Sequence, residues 1–467
     1  MADAGAAQPS PPGGSGEGLS YGRGAALLSG LIGLTGLLTY AFHSLTAHAL
    51  GIDAYGAIAA LWAAVFLTAS VIYRPVEQLL SRTIAERQAR GHQTGPALRA
   101  AATIQLGLAL VFVVVALLLR DHIQDDMLSG HTTLYWAFVA AVAFYAASYF
   151  ARGFLAGQRR FALYGGLVLM ESASRVVIAV LLVVGVGGLS LAGLAIAAAP
   201  LLSLCVVPWA ISGQVRRMAA VPAAARSSPT EPEFTLAHGL GFAGAVLVIM
   251  LSEQMILNSG VLLVALTEDN RKLTALVFAV LMIARAPLQL FQAVSTTLLP
   301  HLTRLIVHEQ GGADEGGFAR SVRLTVLACL AFGAVTVLGV LAVGPPAMRL
   351  LFGSGFDYDR FGLALVAAGM GLYLAATTLN QAALAQGRAR SAALSWAASA
   401  TFFVAFLLIA DMAWVRAVEV SFIVTAAVLS ALLYLIYRRP LSDSQRAIRP
   451  GSAEELELRL AAAEEAS

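Results

Sequence analysis

The amino-acid sequence predicts an all-α polytopic membrane protein with about 12 transmembrane helices in two halves of six. Of its 467 residues, 58% are hydrophobic and only 12% are charged, and the mean hydropathy is +0.77. Soluble domains carry about 25% charged residues, so this chain has about half the charge that a water-facing surface needs. The apolar runs are mostly about 20 residues or longer, the length that a helix needs to cross a bilayer. They lack the alternation of β-barrel strands.

The apolar runs form two sets of six, named spans 1 to 12 in chain order. Spans 1–6 are predicted at 24–49, 55–82, 98–119, 132–157, 162–186 and 189–214. Spans 7–12 are predicted at 236–266, 272–303, 320–344, 359–387, 391–411 and 414–437. The break between the two sets is rich in Pro, Ser and Ala, which is typical of a linker. The predicted organisation is a disordered tail (1–22), an N-lobe (23–214), a cytoplasmic linker (215–235), a C-lobe (236–438) and a second tail (439–467).

The basic residues predict the orientation, because cytoplasmic loops are enriched in Lys and Arg. If the N-terminus is cytoplasmic, 21 of the 30 Lys and Arg residues lie at the inner ends of spans and six at the outer ends. We therefore expect both termini in the cytoplasm. The end of the spans that carries the loop between spans 1 and 2 is called the predicted outer face, and the opposite end the predicted inner face.

Several chemistries are disfavoured by residue usage. Lys272 is the only lysine, and the residues before it do not form a phosphate-binding loop, so the chain is not expected to hydrolyse ATP. Cys205 and Cys329 both lie in apolar stretches, which disfavours a disulfide framework or a cysteine-rich metal site. His43 and His48 in span 1 are interpreted as polar lining or cap residues. We expect no enzyme activity, cofactor, metal or nucleic-acid partner.

Charged residues inside spans need a cavity, a partner or a function, because burying a charge in a bilayer is costly. Arg74 and Glu77 are three residues apart in span 2, and Glu171 and Arg175 are four apart in span 5. Each pair can therefore meet on one helix face. Each is either a self-neutralising bridge that holds helices together or part of a functional site.

Spans 7 and 8 carry polar residues that suggest a hydrated cavity. Arg285 is followed by Gln289 and Gln292 on one face of span 8, and no acidic residue lies within one turn of it. Glu253 shares span 7 with Asn258. We interpret Glu253 either as the partner of Arg285 or as a protonatable carboxylate that couples transport to an ion.

Corresponding spans of the two halves share features, which suggests a duplicated unit. Arg74 is followed by Pro75 in span 2, and Arg285 is followed two residues later by Pro287 in span 8. An arginine side chain is always charged and offers a planar fork that suits phosphate oxygens. One arginine from each half would form an anion clamp near the middle of the membrane, although paired arginines are also compatible with packing.

Four short stretches resemble polysaccharide and lipid-linked oligosaccharide flippases. Leu50–Gly56 (LGIDAYG) is similar to a signature between the first two spans of that group, and Leu351–Phe356 (LFGSGF) is similar to its loop before span 10. The end of span 2, Ser81–Ala85, and the end of span 4, Gly157–Arg160, fit the same pattern. The likeness covers roughly residues 20–440.

The resemblance implies the multidrug/oligosaccharidyl-lipid/polysaccharide exporter (MOP) superfamily. Its members have two six-helix lobes in a V around a central cavity and work by alternating access. Lipid II flippases carry arginines on spans 2 and 8, which Arg74 and Arg285 match. Span 1 departs from them, with His43 and His48 in place of a basic and acidic pair, and spans 13 and 14 are absent. The chain is therefore more similar to O-antigen flippases.

We expect a flippase of the bacterial inner (plasma) membrane that moves a polyprenyl-(di)phosphate-linked saccharide to the outer leaflet for cell-envelope polysaccharide synthesis. Its expected partners are this lipid, the bilayer and cell-envelope glycosyltransferases or a polymerase. The alternative is an ion-coupled multidrug exporter of the same superfamily. A membrane glycosyltransferase is disfavoured, because the longest outer loops have only about a dozen residues. The predicted substrate-binding residues are Arg74, Glu77, Glu253, Asn258, Arg285, Gln289 and Gln292, with Glu253 also the ion-coupling candidate.

Overall fold

A computed structural model describes residues 14–89, 93–208, 240–268, 270–283, 285 and 317–439. Within these ranges the chain is helical apart from short loops, and ten helices are long and apolar enough to cross a membrane. The all-α polytopic fold class is therefore confirmed. Spans 1–6 correspond to the helices Gly14–Ala89 (spans 1 and 2), Gly95–Leu118, Thr132–Gly157, Phe161–Val183 and Leu189–Ser203. Spans 7 and 9–12 correspond to Leu240–Thr267, Gly317–Phe352, Arg360–Ala385, Ala389–Ile409 and Trp414–Arg438.

Several helix ends differ from the prediction, the first of them at Gly14, ten residues before the predicted start of span 1. Span 6 is shorter, since its α-helix ends at Ser203 and a 3-10 turn, Leu204–Val206, follows. Span 9 is longer, because its helix continues through Pro345 and Pro346 to Phe352. Span 8 is described as a helix over 271–283, with residue 285 also helical, and its predicted remainder lies outside the described residues. The same is true of residues 1–13, of the whole linker and of the tail at 440–467.

Spans 1 and 2 form a helical hairpin with a break at Gly51. This residue has φ 73° and ψ 170°, a backbone conformation that favours glycine. A ring contact shows that the chain reverses direction here: Phe42 on span 1 stacks on Trp62 on span 2 at a centroid distance of 5.8 Å. The break lies within the stretch Leu50–Gly56, so one glycine of this motif has a conformational role.

Corresponding spans occupy similar positions in the two lobes. Spans 4 and 10 are interior helices, with 67% and 78% of their most apolar segments buried. Spans 3 and 9 are peripheral, with only 22% and 17% buried, and they expose large apolar side chains such as Leu106 and Leu338. Such surfaces suit contact with lipid. This shared arrangement agrees with the duplication that the sequence suggests.

Small residues bring helices close together inside each lobe. In the N-lobe, Gly153 and Gly157 of span 4 lie against the backbone of span 2. A Cβ added at either glycine would lie 2.8 Å from a carbonyl oxygen, that of Glu77 or that of Ser81 respectively. In the C-lobe, Gly333 of span 9 crosses span 10 in the same way. Membrane helices commonly associate through small residues of this kind.

The orientation makes a prediction that site-directed labelling can test. In a chain freed of its two native cysteines, single cysteines at the exposed positions Asp53, Asp125 and Asp357 should react with an impermeant reagent added outside cells. Cysteines at Gln93 and Arg159, exposed at the opposite face, should react only after the membrane is permeabilised. Outside labelling at either of these two positions would contradict the charge-based topology.

Candidate functional site

Three of the charged residues predicted inside spans, Arg74, Glu253 and Arg285, lie near one another where the two lobes face each other. Arg74 of span 2 and Glu253 of span 7 come from different lobes, and each lies within electrostatic range of the other. Both side chains lie deep in the protein yet remain partly accessible. The predicted partnership of Glu253 with Arg285 is not found, because the opposite charge near Glu253 is Arg74. Gln289 and Gln292 lie outside the described residues.

Arg74 has oppositely charged neighbours but no direct contact with them among the described residues. Among the described residues it makes no hydrogen bond and no ion pair within 4 Å. The predicted bridge to Glu77 does not form, although the two charges lie in range of each other. Pro75 lies between them and removes a helix hydrogen bond, so regular i, i+3 geometry is not expected there. No described residue therefore occupies the hydrogen-bonding positions of the Arg74 guanidinium.

Glu77 points toward span 5 and the predicted inner face. Its carboxylate accepts a hydrogen bond of 3.1 Å from the Tyr164 hydroxyl. Of the positive charges that act on it, Arg152 has the largest electrostatic effect. A cavity of about 400 Å³ opens beside it. The lining residues are Ile32, Glu77, Gln78, Ser81, Arg82, Ala85, Ala156, Phe161 and Tyr164.

Arg285 has neutral partners. Its guanidinium donates a 3.3 Å hydrogen bond to the amide oxygen of Asn258, and its Nε is buried without a hydrogen-bond partner. Tyr40 of span 1 and Tyr373 of span 10 lie within its electrostatic range. Tyr373 is also in range of Arg74 and Glu253, so this one side chain lies near all three central charges.

The predicted pair Glu171–Arg175 forms, and it is part of a larger buried network. The Arg175 and Glu171 side chains meet at 2.6 Å, and the Tyr145 hydroxyl donates a 2.6 Å hydrogen bond to the same carboxylate. Arg152 of span 4 bonds the second carboxylate oxygen. The charge count assigned Arg152 to a loop end, whereas its side chain is only 12% exposed. This network connects spans 4 and 5, and Arg175 also lies over the Trp62 ring of span 2 at 5.1 Å.

The histidines of span 1 differ in environment. His43 is fully buried, so its predicted role as cavity lining is wrong. Its Nδ1 lies 3.0 Å from the Tyr55 hydroxyl, and its ring contacts Phe278 of span 8 at 4.8 Å. His48 is exposed and hydrogen-bonds the Ser44 carbonyl of its own helix. Among the described residues there is no group of three or more metal-binding side chains.

The two glycine-containing motifs contact each other across the lobes. The Tyr55 ring of the first motif packs against Phe352 and Phe356 of the second, with centroids 6.2 and 5.8 Å apart. Gly355 approaches Ile52 so closely that an added Cβ would lie 3.2 Å from that side chain. These stretches therefore form part of the lobe interface at the predicted outer face.

Polar contacts seal the same face. Arg271, at the start of span 8, bonds the His131 ring and the Ser129 carbonyl of the N-lobe, each at 3.2 Å. Lys272 pairs with Asp53 at 3.7 Å. Among the described residues, the hydrogen bonds, ion pairs and ring contacts that join the lobes lie in the outer halves of the spans. The structure is closed at its predicted outer face.

Gly56 is expected to be essential for this closure. A Cβ at this position would overlap the backbone carbonyl oxygen of Arg271. Because the clash is with backbone, it can be relieved only if the two lobes move apart. Overpacking costs about 1–3 kcal/mol, so Gly56→Ala should shift the closed-to-open ratio by roughly 5- to 150-fold. A cysteine at Thr46, fully buried in the closed form, should then react faster with an impermeant thiol reagent. Gly107→Ala is the control, since open space surrounds Gly107. Equal rates in both variants would contradict the expectation.

Comparison with known proteins identifies the fold. No protein-family description matches the chain, and no curated protein matches it in sequence. It matches an inward-facing conformation of a multidrug resistance MATE family transporter of the MOP superfamily, with a TM-score of 0.64, 14% identity, and coverage of 91% of this chain and 100% of that one. The outward-facing conformation of such a transporter gives a TM-score of 0.60, 13% identity, and coverage of 92% and 97%.

A third match is a MOP superfamily transporter from Pyrococcus furiosus, described by a reverse polarity of its binding pocket that suggests a different function. Its TM-score is 0.59 at 12% identity, and the match covers 89% of this chain and 94% of that one. At these identities the likeness establishes the fold alone. The chain therefore has the fold of these transporters.

Proposed function

We propose that the chain is a membrane transporter that works by alternating access between its two lobes. In support, its lobes meet at the predicted outer face, and Arg74 of one lobe lies deep in the protein within electrostatic range of Glu253 of the other. The same fold occurs in both inward- and outward-facing conformations of MATE transporters. The higher TM-score belongs to the inward-facing one, in agreement with the closed outer face.

The proposed substrate is an amphiphile with an anionic headgroup, and a polyprenyl-(di)phosphate-linked saccharide is the class that we favour on charge. The observation that carries this proposal is Arg74, a partly accessible guanidinium between the lobes that has no hydrogen-bond partner among the described residues. Arg285, with neutral partners only, is the second cation. Together they offer charge-assisted hydrogen bonds to phosphate oxygens, whereas the apolar tail can remain in the bilayer. Envelope glycosyltransferases or a polymerase would supply or consume this lipid.

An ion-coupled multidrug exporter is the second candidate, and the comparisons favour it over the first. Two of the three structures compared above are of multidrug resistance transporters. The carboxylates of Glu253 and Glu77 would suit a cationic drug or a coupling proton. The two candidates therefore differ in the sign of the charge that the central site attracts.

Identifying the lipid that copurifies with the protein distinguishes the two candidates. Mass spectrometry of the wild-type protein should detect a polyprenyl-phosphate or diphosphate lipid, and Arg74→Gln should lose it while Arg99→Gln, which changes an exposed arginine of span 3, retains it. Absence of any such lipid, together with saturable binding of a cationic drug that Arg74→Gln leaves unchanged, would support the exporter.

Glu253→Gln tests ion coupling. Glutamine keeps the shape of the side chain but cannot release a proton, so transport by this variant should lose its dependence on pH if Glu253 carries the coupling ion. The measurement is the initial transport rate in proteoliposomes across a series of pH values, with Glu86→Gln as an exposed control. An unchanged pH profile would rule out this role for Glu253.

A further inference from the structure

Arg271 connects the two lobes through one side chain. It belongs to the C-lobe, yet its two terminal nitrogens bond N-lobe atoms: Nη1 lies 3.2 Å from Nε2 of His131, and Nη2 donates to the Ser129 carbonyl at 3.2 Å. The side chain borders a cavity of about 390 Å³ at the predicted outer face, between the loops of both lobes. Opening this face requires both bonds to break.

The turn that receives Arg271 has an unusual backbone. Ser129 has φ 53° and Gly130 has φ 77°, so two successive residues are left-handed. This conformation is costly for a serine, and such residues cluster at sites where geometry serves a function. The turn presents the Ser129 carbonyl and the His131 ring side by side to one guanidinium.

The bond between Arg271 and His131 requires a neutral histidine. Arg271 has only N–H donors, so Nε2 of His131 must carry a lone pair to accept from it. Protonation would place an N–H donor and a second positive charge 3.2 Å from the guanidinium. Burial, and then the charge of Arg271, lower the pKa of His131, so the neutral form is favoured while the lobes are closed.

Other titratable groups surround this turn. The preceding π-helix, His122–Met127, carries His122, Asp125 and Asp126, and Glu268 comes from the end of span 7. His122 pairs with Asp126 inside its own loop, and Glu268 accepts a hydrogen bond from Trp414. Of the described groups, the one whose charge acts on His131 is Arg271.

We propose that Arg271 is the positioning residue that holds the lobes closed at the predicted outer face, and that protonation of His131 releases it. The inference rests on the proposed alternating-access function, and it adds the residues and the signal that open this face. Since the closed form favours neutral His131, the bond is fully present above the ordinary histidine pKa of about 6.5. It is lost as the pH falls below that value, as it does on the acidic side of an energised membrane.

Distance measurements between the lobes test the proposal without any substrate. Spin labels at Asp121 of the N-lobe and Met412 of the C-lobe, both exposed, report the width of the outer face in lipid nanodiscs. Distances are recorded at about pH 7.5 and about pH 5, on either side of the histidine range. The variants are His131→Gln, which can still accept from Arg271 but cannot titrate, and Arg271→Gln. The control is His122→Gln, nine residues earlier on the same loop and bonded only within it.

Acidification should raise the open-to-closed ratio of the wild type and of His122→Gln. The expected change is roughly tenfold for each pH unit between the pKa of His131 in the open form and its lower pKa in the closed form. His131→Gln should stay closed at both pH values, and Arg271→Gln should be open at both. Opening of His131→Gln on acidification, a closed Arg271→Gln, or a wild type that does not respond to pH would each overturn the proposal. Thermal stability near that of the wild type shows that a variant is folded. If the proposed role of the Arg271–His131 contact fails this test while transport persists, the proposed function still stands.

Discussion

Replacing Arg74 with alanine is expected to abolish transport while leaving the protein folded. Hydrogen bonds to charged groups are worth about 1.5–3 kcal/mol each, so removing this cation should weaken binding of an anionic headgroup by roughly 10- to 100-fold. Folding should depend little on the side chain, since it is partly accessible and makes no hydrogen bond among the described residues. Arg74→Lys should retain partial transport, because lysine keeps the charge but loses the bidentate fork.

Binding, transport and thermal stability need to be measured on the same purified Arg74 variants. Arg99→Ala is the matched control, because Arg99 is exposed near the start of span 3 and lines neither of the two cavities described above. The control should behave like the wild type. If Arg74 serves packing instead, alanine will lower stability and glutamine will restore transport. Full transport by Arg74→Gln would end the anion-binding proposal and leave the drug exporter.

Glu171→Gln is expected to cause the largest loss of stability among single substitutions in the N-lobe. The carboxylate is 4% exposed and neutralises Arg175, which is 2% exposed, as well as Arg152. Removing one partner of a buried ion pair costs about 3–5 kcal/mol, because the remaining charge is left uncompensated. Here two arginines lose their partner. The measurement is the free energy of unfolding in a denaturing-detergent titration.

Glu86→Gln provides the comparison for this substitution. The pair Arg82–Glu86 has the same i, i+4 spacing as Glu171–Arg175 in reverse order, but its side chains are 58% and 48% exposed. Exposed pairs contribute only about 0–1 kcal/mol, so Glu86→Gln should change stability little. A loss below about 1 kcal/mol for Glu171→Gln would mean that the network is hydrated and contributes little to the fold.

The sequence was sufficient to predict the membrane class, the positions of most spans and the local pair Glu171–Arg175. These properties depend on apolar length and helical periodicity, which are encoded in neighbouring residues. The role of Arg152 could not be predicted in the same way, because its partner lies 19 residues away on the next helix. Glu419 was missed too: it lies near the start of span 12 and is 1% exposed, bonded to Arg416 and Tyr358.

Contacts between the lobes were the least predictable part of the site. Arg74 and Glu253 are separated by most of the N-lobe and the linker, and only the folded arrangement brings their charges into range. The motif Leu50–Gly56 indicated a resemblance, but the sequence did not indicate what its glycines do in the fold. In the structure, Gly51 permits the turn between spans 1 and 2, and Gly56 permits the approach of Arg271. A signal existed for both, since glycines in apolar helical sequence commonly mark close contacts or breaks.

Gly153 and Gly157 have a mechanical consequence. Span 2 carries Arg74 and Glu77, and it touches both glycines of span 4: the Glu77 carbonyl lies against Gly153, and the Ser81 carbonyl and the Ile84 side chain lie against Gly157. Contact at this distance leaves little room for one helix to slide against the other, so we expect the two helices to move as one rigid unit. A movement of the interior helix of the N-lobe is therefore expected to displace Arg74 by a similar amount. A methyl group at either glycine would push span 2 away and shift Arg74 and Glu77 without contacting their side chains.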